Sequence, residues 1–82
     1  MIKYILQSDV TGTQMSHLAL PISSVEEYGV YYLGEKNVTK MGDDGIEHYR
    51  VEIRFSYKDE KGIVRYASLD KETFEKYFCK SI

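Results

Sequence analysis

The sequence predicts a small α+β domain: a mostly antiparallel sheet of about four or five strands, arranged as a meander, with a C-terminal helix on one face. Residues 49–57, YRVEIRFSY, alternate apolar and polar side chains without a break, as in a strand with one buried face. Glycine-containing turns at 42–45 and 58–62 separate this strand from β-forming neighbours. From Asp70 onward, a helix cap precedes an aromatic stripe at helical spacing.

The bulk composition indicates one packed domain that covers residues 1–82. Eight Tyr, three Phe and a single Pro in a chain that is 43% hydrophobic exclude a disordered polypeptide. The net charge of −2 is too near neutral to predict a polyanionic partner by itself. The single cysteine excludes an internal disulfide, and no apolar run approaches the ~18 residues of a membrane span. We therefore expect a cytoplasmic protein with no membrane partner.

The N-terminal third predicts two strands around a loop. Ile2, Tyr4 and Leu6 alternate with other residues and predict the first strand. Residues 9–16 read as a polar loop. The alternation at 18–22 then predicts a second strand, with Pro21 at a sheet edge.

Residues 23–34, SSVEEYGVYYLG, fit two structures. As a helix at about 24–33, the segment has a Ser-x-x-Glu capping box at its start and Gly34 at its end. As a strand, the run from Gly29 to Leu33 is rich in β-forming residues. The short helix is favoured, but only slightly, because Gly29 in its interior would cost about 1 kcal/mol.

The middle of the chain predicts three further strands, at 37–41, 46–57 and 63–69, joined by the turns at 42–45 and 58–62. Gly62 suits the left-handed position of a type I turn with a G1 bulge. That turn fixes a register in which Phe55 lies opposite Ala67 and Ile53 lies opposite Leu69.

The last helix has the clearest start signals. Asp70 is a good N-cap, and Glu72 lies in the first turn, where the helix dipole favours a negative charge. Leu69 and Phe74 are spaced as a hydrophobic staple. The predicted inward stripe, Phe74, Tyr77 and Phe78, is expected to pack on the sheet face that carries Val51, Ile53 and Phe55.

No residue pattern in the sequence indicates catalysis. The carboxylates of 42–45 suit a tight turn better than a metal site, which needs more oxygen ligands. His17, His48 and Cys79 show no zinc-ligand spacing, and no glycine-rich phosphate loop is present. We therefore expect no enzymatic activity, no metal and no cofactor.

The polar side of the 46–57 strand is the candidate binding surface. Arginine and tyrosine are enriched at binding hot spots. The residues that the predicted register brings to this side are Arg50, Arg54, Lys58, Val64 and Tyr66. If the 23–34 segment covered this side, Val64 and Tyr66 would instead form a second core. In the 9–16 loop, Thr11, Thr13 and Gln14 are candidate contacts for a protein partner.

These features predict a small protein-protein interaction module that acts by stoichiometric binding. Size and character alone suggest an accessory or inhibitor protein of a phage or mobile element. One alternative is a single-stranded nucleic-acid binder that uses the Arg/Tyr face. Nucleic acid is disfavoured because acidic residues flank the same strands, namely Asp43, Asp44, Glu47, Glu52, Asp59 and Glu60. A structural homodimer joined through an edge strand is the other alternative.

Overall fold

The computed structural model describes residues 2–81 as one five-stranded antiparallel sheet with short helices. The strands are β1 (Ile2–Leu6), β2 (Val30–Met41), β3 (Glu47–Lys58), β4 (Val64–Asp70) and β5 (Phe78–Lys80), in the order β4-β3-β2-β1-β5. The helices are α1 (Gly12–Met15), α2 (Ile22–Tyr28) and α3 (Lys71–Tyr77), with a 3-10 turn at Ser16–Leu18. In the described part of the chain, no helix is long and apolar enough to cross a membrane. The predicted α+β class is confirmed.

One face of the sheet, called the core face below, carries the hydrophobic core. Phe55 is fully buried, and its ring centroid lies 5.5 Å from that of Phe74 and 6.1 Å from that of Phe78. The remaining core side chains are Met15, Val25, Val30, Ile53 and Tyr77. Burial of such a cluster is the main favourable term for a domain of this size. The helices thus pack on one side of the sheet.

Helix α3 begins as predicted and ends earlier than the aromatic stripe suggests. The Asp70 carboxylate accepts hydrogen bonds from the Thr73 hydroxyl at 2.8 Å and the Thr73 N–H at 3.1 Å, and both lower the pKa of Asp70. The predicted inward stripe is buried. Phe78, however, has an extended backbone and pairs with Leu6, so it begins β5. Because that pairing joins distant segments, helical spacing alone could not predict it.

The two predicted turns close the two hairpins. The Asp59 N–H donates to the Ile63 carbonyl at 2.9 Å, and Gly62 has a φ of 81°, as a G1 bulge requires. The predicted pairs, Phe55 with Ala67 and Ile53 with Leu69, are confirmed. At 42–45, the Gly45 N–H donates to the Gly42 carbonyl at 3.0 Å, so this segment is also a turn.

The predicted second strand at 18–22 is wrong. The segment instead turns at Ala19, which has a left-handed φ of 57°, and enters α2 through Pro21. The 9–16 segment is not simply a loop, because it contains α1. Thr11 caps this helix in a reciprocal box with Gln14, and Met15 is fully buried. The alternation of apolar residues here reflects burial around turns.

The 23–34 segment divides between the two structures considered for it. Its first half belongs to α2, and from Val30 onward it is strand β2. The predicted serine cap is wrong, since Pro21 occupies the N-cap. Gly29 ends the helix with a φ of 71°, and a Cβ there would lie 2.6 Å from the Tyr4 carbonyl oxygen. Glycine is therefore required where the chain turns from helix to strand.

Strands β2 and β3 extend beyond their neighbours. β1 pairs with β2 only as far as Tyr32, and β4 pairs with β3 only from Glu52 onward. Residues 37–51 therefore form a two-stranded ribbon, called the arm below. Tyr49, predicted to face the core, is instead 76% exposed. The alternation of apolar and polar residues in β3 thus continues into a part of the strand that no helix covers.

Candidate functional site

The side of the sheet opposite the core face, called the open face below, is the candidate binding surface. Directly opposed residues of antiparallel strands point to the same side. One row of such residues crosses four strands: Lys3, Tyr31, Ser56 and Tyr66. Val64 is 51% exposed and Tyr66 is 71% exposed, so α2 does not cover them. The open face thus keeps aromatic and aliphatic side chains in contact with solvent.

The five residues predicted from the sequence lie on this face. Val64 is opposite Lys58, Tyr66 is opposite Ser56, and Arg54 is one pair further along. Arg50 lies opposite Val38 in the arm, about 26 Å along β3 from Lys58. The strand pairing therefore brings four of the five together and places Arg50 at the far end.

Strands β1 and β2 add residues that the sequence reasoning missed. Lys3 and Tyr31 join the row of Tyr66, and Lys36 and Lys40 lie opposite Glu52 and His48. A bulge between Tyr32 and Gly34 shifts the register between β2 and β3. The side to which the β2 residues point therefore depends on how β2 pairs with distant strands. The alternation of Lys36, Val38 and Lys40 was a usable signal, since it marks one side of a strand.

Charge is strongly segregated onto the open face. Six of the chain's eleven basic residues point to this side of the strands: Lys3, Lys36, Lys40, Arg50, Arg54 and Lys58. Two strand carboxylates lie among them, Glu52 and, opposite it at the end of β4, Asp70. Glu52 contacts the Lys36 ammonium at 3.9 Å and the Arg50 guanidinium at 3.2 Å. A protein with a net charge of −2 thus presents a basic sheet face.

Three of the flanking acidic residues, Asp44, Glu47 and Asp59, lie in the turns or on the other side of the arm, whereas Glu52 lies on the open face. The Asp59 carboxylate accepts hydrogen bonds from two backbone N–H groups of its own turn and from Arg65. The Ile63 N–H is the main cause of the lowered pKa of Asp59. Asp44 likewise accepts from the Ile46 N–H, and Glu47 pairs with Met41 on the opposite side of the arm. Asp59 and Asp44 thus stabilise their turns, and Glu47 points away from the open face.

A small cavity, called the aromatic cavity below, opens beside Tyr31 of this row. Its volume is about 130 Å³, and its walls include Tyr28, Tyr31, Lys58 and Val64 together with the carboxylate residue Glu27. The Lys58 ammonium lies 5.0 Å from the centroid of the Tyr28 ring. Cavities of about 150 Å³ take a benzene ring, so this one approaches the size of a single flat ring.

A groove of about 500 Å³ lies at the edge of β3 that β4 leaves free, beside the start of α3. Its lining includes Tyr49, Arg50 and Asp70 together with Glu72 and Glu75, so several carboxylates surround it. The Asp70 carboxylate there already accepts the cap hydrogen bonds of α3. This groove therefore carries both acidic and basic side chains, whereas basic side chains predominate on the open face.

The remaining sequence candidates are dispersed. Cys79, expected at the end of the last helix, lies in β5 opposite Ile5. Thr11 and Gln14 are exposed but bond each other in the α1 cap, and the Thr13 carbonyl accepts from Ser16. Among residues 2–81, no three His, Cys, Asp or Glu side chains are placed to hold a metal ion. No protein-family model, curated protein or solved structure matches the chain.

Proposed function

We propose that the protein is a non-enzymatic binding module that acts by stoichiometric binding through the open face of its sheet. The observation that carries this proposal is the contrast in coverage. Helices and aromatic rings bury the core face, while Tyr66 on the other side is 71% exposed. Exposed tyrosine beside arginine is typical of surfaces that bind a macromolecule.

A protein partner is one candidate. Tyr66 and Val64 supply apolar area, while Arg54 supplies a planar set of hydrogen-bond donors, as at protein interfaces. Such a module would act by occupying a partner's surface, as an accessory or inhibitor protein of a phage or mobile element would. We place this activity in the cytoplasm, in keeping with the single Cys79.

Single-stranded nucleic acid is a second candidate, favoured by the segregation of charge. Six cationic side chains on the open face outnumber the carboxylates there, Glu52, Asp70 and Glu27, and they lie beside two exposed tyrosines. Basic residues beside aromatic rings are typical of surfaces that bind single strands. A homodimer joined through edge strand β4 or β5 is a third candidate. A measurement of the molecular mass in solution distinguishes it from the other two, because the dimer has twice the mass of the monomer.

Site-specific photocrosslinking tests the face itself. A photoreactive phenylalanine analogue replaces Tyr66 in one variant and Tyr49 in a matched variant, since both tyrosines are highly exposed but lie on opposite sides of the sheet. Each variant is irradiated in extract of the native host. We expect a discrete adduct from position 66, sensitive to either protease or nuclease, that disappears when Arg54→Gln and Lys58→Gln are added. Equal adducts from both positions, or adducts from position 49 alone, would contradict the proposal.

A further inference from the structure

We infer that the partner of the open face is a single strand of nucleic acid, with phosphates along the cations of β2 and β3 and bases against Tyr66 and the aromatic cavity. This inference rests on the proposed function, because it names the partner of the same face. It combines three observations: the distribution of charge, the linear arrangement of the cations, and the position of the exposed rings.

The charge on this face is only partly compensated. Glu52 is shared by Lys36 and Arg50, Asp70 lies opposite Glu52, and Glu27 lines the aromatic cavity, which leaves six cations against three carboxylates. Neutralising phosphates with such side chains releases counterions, and this release drives binding at low salt. The partner expected from charge complementarity is therefore a polyanion, even though the whole chain is acidic.

The cations also follow a line. Arg50, Arg54 and Lys58 recur every four residues on β3, about 13 Å apart, and Lys36 and Lys40 lie beside them on β2. From Arg50 to Lys58 this track covers about 26 Å of β3. A nucleic-acid strand repeats its negative charge at every unit, whereas the carboxylates of a folded acidic protein are irregularly spaced. A track of this kind fits the regular polymer better.

The exposed rings favour unpaired bases. Tyr66 and Tyr31 lie in one row, two strands and so about 10 Å apart, with the small side chain of Ser56 between them. Aromatic rings stack on bases whose faces are free, and a duplex hides those faces. The aromatic cavity adds a recess near the size of one ring, with Lys58 in its wall. A single strand can use both features, while a duplex can use only the cations.

The test measures binding of fluorescent oligo(dT) and oligo(rU) of about 12 nucleotides, a length within the usual range for small single-strand-binding domains. Fluorescence anisotropy is recorded from about 50 to 300 mM salt, and a duplex of equal length serves as competitor. We expect saturable binding that weakens steeply with salt and is not displaced by the duplex at equal concentration.

Two pairs of variants locate the binding. Arg54→Gln with Lys58→Gln should reduce the slope of log affinity against log salt by about 1.4, that is, about 0.7 for each lost phosphate contact. Lys76→Gln with Lys80→Gln changes the net charge equally, outside the open face, and should leave the slope unchanged. Tyr66→Ala should weaken binding about tenfold by loss of stacking, whereas Tyr49→Ala should not. Circular dichroism confirms that each variant is folded.

The outcomes separate this inference from the proposed function. Absence of binding to both oligonucleotides at about 50 mM salt overturns the inference. If a protease-sensitive adduct still forms at position 66, the proposed function stands and the partner is a protein. Tight duplex binding with no effect of Tyr66→Ala also overturns the single-strand assignment. If neither oligonucleotides nor a host macromolecule contact the open face, both proposals fail.

Discussion

Phe55 and Arg54 are neighbours in β3 but belong to opposite sides of the sheet. Phe55 is fully buried against the rings of Phe74 and Phe78, while Arg54 is exposed beside Tyr66. Phe55 is buried because the helices pack on its side of the sheet. The guanidinium of Arg54 stays exposed to solvent because no helix covers the other side. The difference teaches that one strand can hold the fold on one side and remain available for binding on the other.

The largest expected effect comes from the core face. Phe55→Ala should lower the free energy of unfolding by about 3–5 kcal/mol, because it removes buried area and leaves a cavity. Urea denaturation followed by circular dichroism measures this loss. Arg54→Ala, next to it in sequence, should change stability by less than about 0.5 kcal/mol. Comparable losses for the two variants would break the contrast between the faces.

A second effect is expected at the point where α2 turns into β2. Gly29→Ala should cost about 2–3 kcal/mol, because alanine is strained at this backbone conformation and its Cβ would collide with the Tyr4 carbonyl. Gly12→Ala is the matched control, since its Cβ would meet only ordinary contacts. Thermal unfolding of both variants checks the difference. An equally mild effect at both glycines would mean that the turn does not fix how α2 is attached to the sheet.

A smaller effect is expected where β4 ends and α3 turns onto the core face. Asp70→Ala should cost about 1 kcal/mol near neutral pH by loss of the helix cap. Because hydrogen bonds from Thr73 lower the pKa of Asp70 in the folded protein, its stabilisation is full above the usual aspartate pKa. This stabilisation is lost as the pH falls through the lowered pKa that Asp70 has in the folded protein.

Urea denaturation of wild type and Asp70→Ala across acidic pH tests this dependence. The difference in unfolding free energy should shrink on acidification. Glu26→Ala, an exposed change on α2, should alter stability by less than about 0.5 kcal/mol. A difference that stays constant down to the lowest pH would show that the Asp70 carboxylate does not act as a charged cap.

The sequence was most informative where the determinants are local. Asp59 and Gly62 specify a turn within a few residues, so the β3–β4 register and the placement of Tyr66 could be predicted. Asp70 likewise marks the start of α3. The fold class and the position of the last helix could therefore be inferred without long-range information.

The errors occur where distant segments decide the structure. Phe78 leaves the helical stripe because it pairs with Leu6, and Gly29 is constrained by the Tyr4 carbonyl. On the open face, Lys36 and Tyr31 could not be assigned because the bulge at Leu33 sets the register of β2. Only the assembled sheet separates the basic residues from the acids of the turns. That separation supports the proposal of a single strand of nucleic acid as the partner.

The most direct test of the central claim is an NMR titration of the isotope-labelled protein with oligo(dT). If the open face binds the single strand, amide shifts and broadening should concentrate on the strands of that face, while the amides of α3 stay unchanged. The residues expected to respond are Lys3, Tyr31, Arg54, Ser56 and Tyr66. Shifts confined to the helices, or a spectrum that does not respond to the oligonucleotide at low salt, would contradict the claim that the open face binds a single strand.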